Sequence, residues 1–71
     1  MTRKQLLRRL RRLAREEQAA FEVIEKRGKG GHWLVRWNGR VTTIPQSKGG
    51  DLKPGTLTSI LEKLGIDARD L

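Results

Sequence analysis

The chain has 71 residues, no cysteine and one histidine, and its 16 basic and 8 acidic side chains leave a net charge of +8. That length allows one small domain, residues 1–71, with a modest core; without cysteine there are no disulfide staples or thiolate ligands, and one histidine cannot supply a zinc site of the usual nitrogen and sulfur kind. No metal and no cofactor is therefore expected, and with no stretch apolar enough for a membrane span or a signal-peptide core, a reducing, cytoplasmic setting away from membranes is the simplest expectation.

The positive charge is concentrated at one end. Arg3, Lys4, Arg8, Arg9, Arg11, Arg12 and Arg15 place seven of the eight net charges in residues 1–15, with no acid among them. Leu6, Leu7, Leu10, Leu13 and Ala14 recur at three- and four-residue steps, which predicts a helix over residues 4–19 with these side chains on one face. Lys4, Arg8, Arg11, Arg12 and Arg15 fall on the other face. Such a stripe suits a polyanion, nucleic acid first and an acidic protein second, against the plain alternative of a solvated face that only resists aggregation. A targeting presequence or membrane-surface helix fits poorly, because the polar face lacks serine and the apolar face lacks an aromatic anchor.

At Phe21 the period changes. Phe21 and Val23 alternate with Glu22 and β-branched residues appear, so residues 21–26 read as a strand, followed by a loop over 27–31 with three glycines. A second strand, residues 32–37, runs into Asn38-Gly39, the pair favoured where both central residues of a tight hairpin need positive φ. The third strand, residues 40–44, closes at Pro45, so the sheet occupies residues 21–45. Alternation places Trp33, Val35 and Trp37 on one face and His32, Leu34 and Arg36 on the other. The tryptophans are expected in the core with Thr42 and Ile44, not as base-stacking platforms. His32 and Arg36 then look outward.

Residues 46–53 form a polar, glycine-bearing loop. Pro54 can open a second helix over residues 54–65, with Leu57, Ile60, Leu61 and Leu64 as its buried stripe and Gly65 as a left-handed cap. The tail, residues 67–71, has no period and is expected to fray. Helix, three antiparallel strands, helix is an α+β two-layer arrangement, the topology of double-stranded-RNA-binding domains.

The chemistry points to His32. Imidazole takes and gives protons near neutral pH, and here it follows Lys29-Gly30-Gly31, whose glycines let backbone approach a ligand. Lys29, Gly30, Gly31 and Arg36 are candidate phosphate contacts near it, Lys48 and Lys53 are unspecific candidate phosphate contacts further along the chain, and Arg8, Arg11, Arg12 and Arg15 are candidates on the basic stripe. The structural alternatives are a half-buried polar histidine and an ordinary glycine turn.

Three segments together resemble the HicA family of toxins, the small mRNA interferases of toxin–antitoxin pairs. They are Lys29-Gly30-Gly31-His32, the hairpin from Asn38-Gly39-Arg40 to Thr43-Ile44-Pro45, and the run Asp51-Leu52-Lys53-Pro54-Gly55-Thr56-Leu57 that ends at Leu64-Gly65-Ile66. Gly31 stands where the family usually has serine, and Gln46-Ser47 where many members have a further histidine. The resemblance implies a metal-independent endoribonuclease that cleaves mRNA with His32 as general base or acid, and a HicB-type antitoxin as partner. The competing reading is a non-catalytic RNA-binding or protein-docking module of the same fold.

Overall fold

The computed structural model describes residues 1–25, 31–45 and 50–71. Its elements run in the expected order: α1 (Arg3–Glu17), β1 (Phe21–Ile24), β2 (Trp33–Trp37), β3 (Arg40–Ile44) and α2 (Pro54–Leu64), followed by a 3₁₀ turn at Ala68–Asp70. The fold is α+β, two layers with the double-stranded-RNA-binding-domain layout.

The helix α1 starts earlier and stops earlier than residues 4–19. At its start Thr2 and Gln5 form a reciprocal capping box: the Thr2 hydroxyl accepts from the Gln5 N–H at 3.1 Å, and Gln5 Oε1 accepts from the Thr2 N–H at 2.9 Å. At its end Gln18 turns left-handed, φ 55°, and its N–H donates to the Ala14 carbonyl, so Ala19 and Ala20 already lead towards the sheet. The apolar stripe Leu6, Leu7, Leu10, Leu13 and Ala14 is buried as its spacing requires.

The sheet order is β1-β2-β3, all antiparallel. Val35, at the centre of β2, pairs with Val23 and Thr42, and Trp33 pairs with Ile44. Asn38 and Gly39 both take positive φ, 47° and 83°, as the two-residue turn demands. Asn38 also does a second task. Its Oδ1 accepts from the Ala20 N–H at 2.9 Å and its own N–H donates to the Ala20 carbonyl at 2.9 Å, which ties the hairpin tip to the α1–β1 connection.

One sheet face packs under both helices. Val35, Trp37, Thr42 and Ile44 are buried there with Leu6, Leu10 and Leu13 of α1 and Ile60, Leu61 and Leu64 of α2, while Trp33 and Leu57 are only partly covered. Among the described residues no helix covers the opposite face. Leu34 lies there between Ile24 and Thr43, and Ile24 and Val41 remain 38% and 46% exposed.

Three expectations need correction. β2 begins at Trp33, so His32 stands just before the strand and not inside it. Leu52, placed in a polar loop, is buried: Thr2 and Asp51 form an isolated bridge, the Leu52 N–H donates to the Met1 carbonyl at 2.8 Å, and that backbone pairing swings the leucine into the core. The tail, read as having no regular element, forms the 3₁₀ turn. Asp67 Oδ1 accepts from the Arg69 N–H at 2.9 Å and its carboxylate pairs with the Arg69 guanidinium at 3.0 Å. Those side-chain and backbone hydrogen bonds from Arg69 hold the Asp67 carboxyl below the usual carboxylate range.

Gly65 ends α2 in the left-handed region, φ 74°, with its N–H directed to the Glu62 and Leu61 carbonyls. Arg40 is on the helix-facing side of β3, and its guanidinium lies against this cap, 3.2 Å from where a Cβ on Gly65 would sit. A cation beside the carbonyl end of a helix is favourably placed.

Candidate functional site

Trp33, at the start of β2, is among the core-face residues that the helices cover only in part. Trp33 closes the strand pairing opposite Ile44, and its indole is half-buried. Arg3, in the first turn of α1, reaches across to it. The guanidinium carbon lies 3.8 Å from the centroid of the indole ring, and Nη1 donates to the Gly31 carbonyl at 2.7 Å. One side chain thus holds the two residues that flank His32 in the chain. Gly31 has φ 52°, a conformation that favours glycine.

His32 is exposed beside this clamp. An imidazole in that setting is open to a ligand, and its backbone is fixed on both sides, the arrangement a proton-transfer group needs if it is to be aimed without being buried.

A shallow open cleft lies on the α1 side of Trp33, lined by Lys4, Leu7, Arg8, Arg11, Glu25 and Trp33. Lys4, Arg8 and Arg11 follow one another at four- and three-residue steps, so they stand in a row along α1. Three cations face one carboxylate. The basic stripe therefore reaches the strand end that carries His32, although nothing in the local sequence joins them.

The other expected residues are dispersed. Arg36 is exposed on the open sheet face, directly across from Glu22 and Val41. It lies four residues from His32, about 13 Å along an extended chain, too far for both to touch one phosphate oxygen. Arg12 and Arg15 are exposed on α1 outside the cleft, with Arg12 Nε 3.9 Å from the Glu16 carboxylate. Lys53 is the extended residue before α2 and is exposed; its carbonyl accepts from the Leu57 N–H, and among the described residues no side chain caps that helix. Lys29, Gly30 and Lys48 lie outside the described residues.

Sequence reasoning passed over Arg3 and Trp33 as site residues. Arg3 entered it only as one charge of seven, and Trp33 was weighed as a base-stacking residue and assigned to the core. The contact between them spans the length of α1 and the first strand, and no periodicity encodes it.

Among the described residues no helix is long and apolar enough to cross a membrane. A family model described as HicA toxin of bacterial toxin-antitoxin matches residues 3–66, which includes both helices, the whole sheet, Arg3 and His32. No curated protein and no solved structure matches the chain.

Proposed function

Since the chain belongs to the HicA toxin family and so is the toxin of a toxin–antitoxin pair, we propose that it acts in the cytoplasm as a metal-independent endoribonuclease on mRNA, with His32 as the proton-transfer group. The observation that carries this reading is the exposed His32 between two residues that Arg3 holds.

The chemistry asks little of the protein. The 2′-hydroxyl of a ribose attacks the adjacent phosphorus, the bond to the 5′ oxygen breaks, and the products are a 2′,3′-cyclic phosphate and a free 5′-hydroxyl. His32 takes the proton from the attacking hydroxyl. Water, or the imidazolium so formed, returns one to the leaving oxygen. Positioned proton transfer of this kind is worth about 10²–10⁴ in rate. Cations near the scissile linkage offset charge on the phosphoryl oxygens, a role for Lys29, three residues before His32 in the chain, while Arg36 on the open face suits a neighbouring phosphate of the same strand. Gly30 and Gly31 let backbone come close to that phosphate, and Lys48 and Lys53 are further cations for it.

The partner in this reading is a HicB-type antitoxin. The protein offers it two surfaces, the basic face of α1 and the open sheet face around Leu34, where Ile24 and Val41 remain in solvent.

The decisive experiment is His32→Ala. An exposed side chain contributes little packing, so the variant should keep its circular dichroism and melting behaviour while RNA cleavage and growth arrest disappear. The parent protein should cleave equally well in EDTA. Undiminished cleavage by the folded variant would make the domain's catalytic group some residue other than His32, and a parent protein that binds RNA without cutting it would make this a binding module.

A further inference from the structure

We propose that the cleft between α1 and Trp33 is a nucleotide subsite, in which Lys4, Arg8 and Arg11 take a backbone phosphate and Trp33 meets the attached base, one residue away from His32. It rests on the ribonuclease reading for its place in the reaction, and its own content is the binding of single-stranded RNA at these four side chains.

The geometry supplies both halves of a nucleotide's requirements in one concavity. Cations on successive turns of α1 form a row at one wall, and a phosphate in contact with two of them makes charge-assisted hydrogen bonds, the stronger class. The other wall offers an indole that is only half-buried. Its ring is already held by Arg3 at 3.8 Å, so it is immobilised before any base arrives and little freedom is lost on docking. Glu25 lies in the same cleft. It opposes a second phosphate there, which leaves room for one anionic linkage and points the strand onward, past the end of β2, towards His32.

An acidic protein segment would satisfy the cations. It has no use for the indole. A single strand uses both, and Trp33 follows His32 directly in the chain, so a strand seated in the cleft lies one residue along the backbone from the imidazole. The rest of the stripe is different in kind: Arg9, Arg12 and Arg15 line no part of the cleft.

The test uses an oligoribonucleotide of six residues with every 2′-hydroxyl methylated, which cannot undergo the attack and so reports binding whether or not the protein is a nuclease. The protein has two tryptophans, hence two indole N–H resonances. Titration should shift that of Trp33 and leave that of Trp37 in place. Arg8→Gln/Arg11→Gln should weaken affinity on the order of tenfold or more, lower the dependence of log affinity on log salt by about 0.7 for each phosphate no longer neutralised, and abolish the Trp33 shift. The charge-matched Arg9→Gln/Lys63→Gln should change affinity by less than about threefold, as screened charge at a distance does, and keep the Trp33 shift. Equal losses in the two variants, or a Trp33 resonance that ignores the oligonucleotide, overturn the subsite. So does a Trp33 shift produced by an oligoglutamate and not by the oligonucleotide, which would make the cleft a protein-docking site. Failure of the ribonuclease reading shows separately, as parent protein that binds the methylated strand in the cleft and leaves ordinary RNA intact.

Discussion

β2 has a tryptophan at each end, on the same face of the same strand, and the two have opposite fates. Trp37 is buried at 4% exposure, meets Phe21 edge-on at 5.7 Å, and sits where the hairpin turn, Asn38 and the α1–β1 connection converge. Trp33, four residues away, is half-buried against a guanidinium and lines a basic cleft. What differs is what lies beyond each end. At the Trp37 end the chain turns back at once and backbone closes the core, whereas at the Trp33 end the strand meets the segment with His32, and a charged side chain from α1 does the closing. One end is closed by backbone and buried rings, and the other by a single guanidinium over a half-buried indole.

The largest effect that separates the two ends is on stability. Trp37→Ala should destabilise by about 3–5 kcal/mol, since it removes a buried ring and leaves a cavity. In a small domain, whose total stability is on the order of 0.05–0.15 kcal/mol per residue, this removes much of the reserve. Trp33→Ala should lose only about 1–2 kcal/mol, in proportion to the smaller area it covers. Urea denaturation of both variants measures the gap. Equal losses would mean that the Trp33 end is as closed as the other, and the cleft would lose its meaning as an entry point.

A smaller effect concerns how firmly the Trp37 end is locked. Trp37 pairs in register with Arg40, whose guanidinium rests on the Gly65 cap of α2. Gly65→Ala puts a Cβ 3.2 Å from the Arg40 guanidinium and holds alanine at φ 74°. The left-handed conformation alone costs about 1–2 kcal/mol for an L-residue, and Arg40 must move as well. The loss should appear in thermal unfolding and leave RNA cleavage per folded molecule unchanged. A fall in cleavage with no fall in stability would show that the two ends are coupled through β3.

This contrast also marks what the sequence could and could not disclose. Period alone identified both buried stripes, and the dipeptide Asn38-Gly39 and the residue Gly65 announced their backbone conformations, because each depends on neighbours a few residues away. His32 was legible as a candidate for the same reason: its chemistry is its own and its glycines are adjacent. Alternation put both tryptophans on the core face, but how far the helices extend over that face is set by where α1 begins, and the Thr2–Gln5 capping box moves that start one residue earlier than the apolar repeat suggests. That shift places Arg3 in the first turn, where it reaches Trp33. The Gly31 carbonyl lies 28 residues from Arg3. Leu52 was missed likewise, since its burial depends on backbone pairing with Met1 and Thr2.

A change in stability comparable to that at Gly65 belongs to Arg3, and it is the most informative about function. The guanidinium stacks on Trp33 and donates to the Gly31 carbonyl, contacts worth about 1 kcal/mol each at a partly exposed site. Arg3→Ala should therefore lose at most about 2 kcal/mol and remain folded at ambient temperature. Its effect on cleavage should be larger, since a proton-transfer group displaced by a fraction of an ångström to 1 Å loses up to about a hundredfold in rate. If Arg3 acts by holding His32, kcat falls while KM changes little, and the backbone amides of Gly31 and His32 show increased fast motion in NMR relaxation. Arg3→Lys keeps the charge but neither the planar stack nor the fixed donor geometry, so it should behave like alanine and not restore cleavage. Full activity in Arg3→Lys would show that a positive charge near Trp33 is sufficient, which would make Arg3 a further phosphate-binding cation of the cleft and leave the aim of His32 to the strand alone.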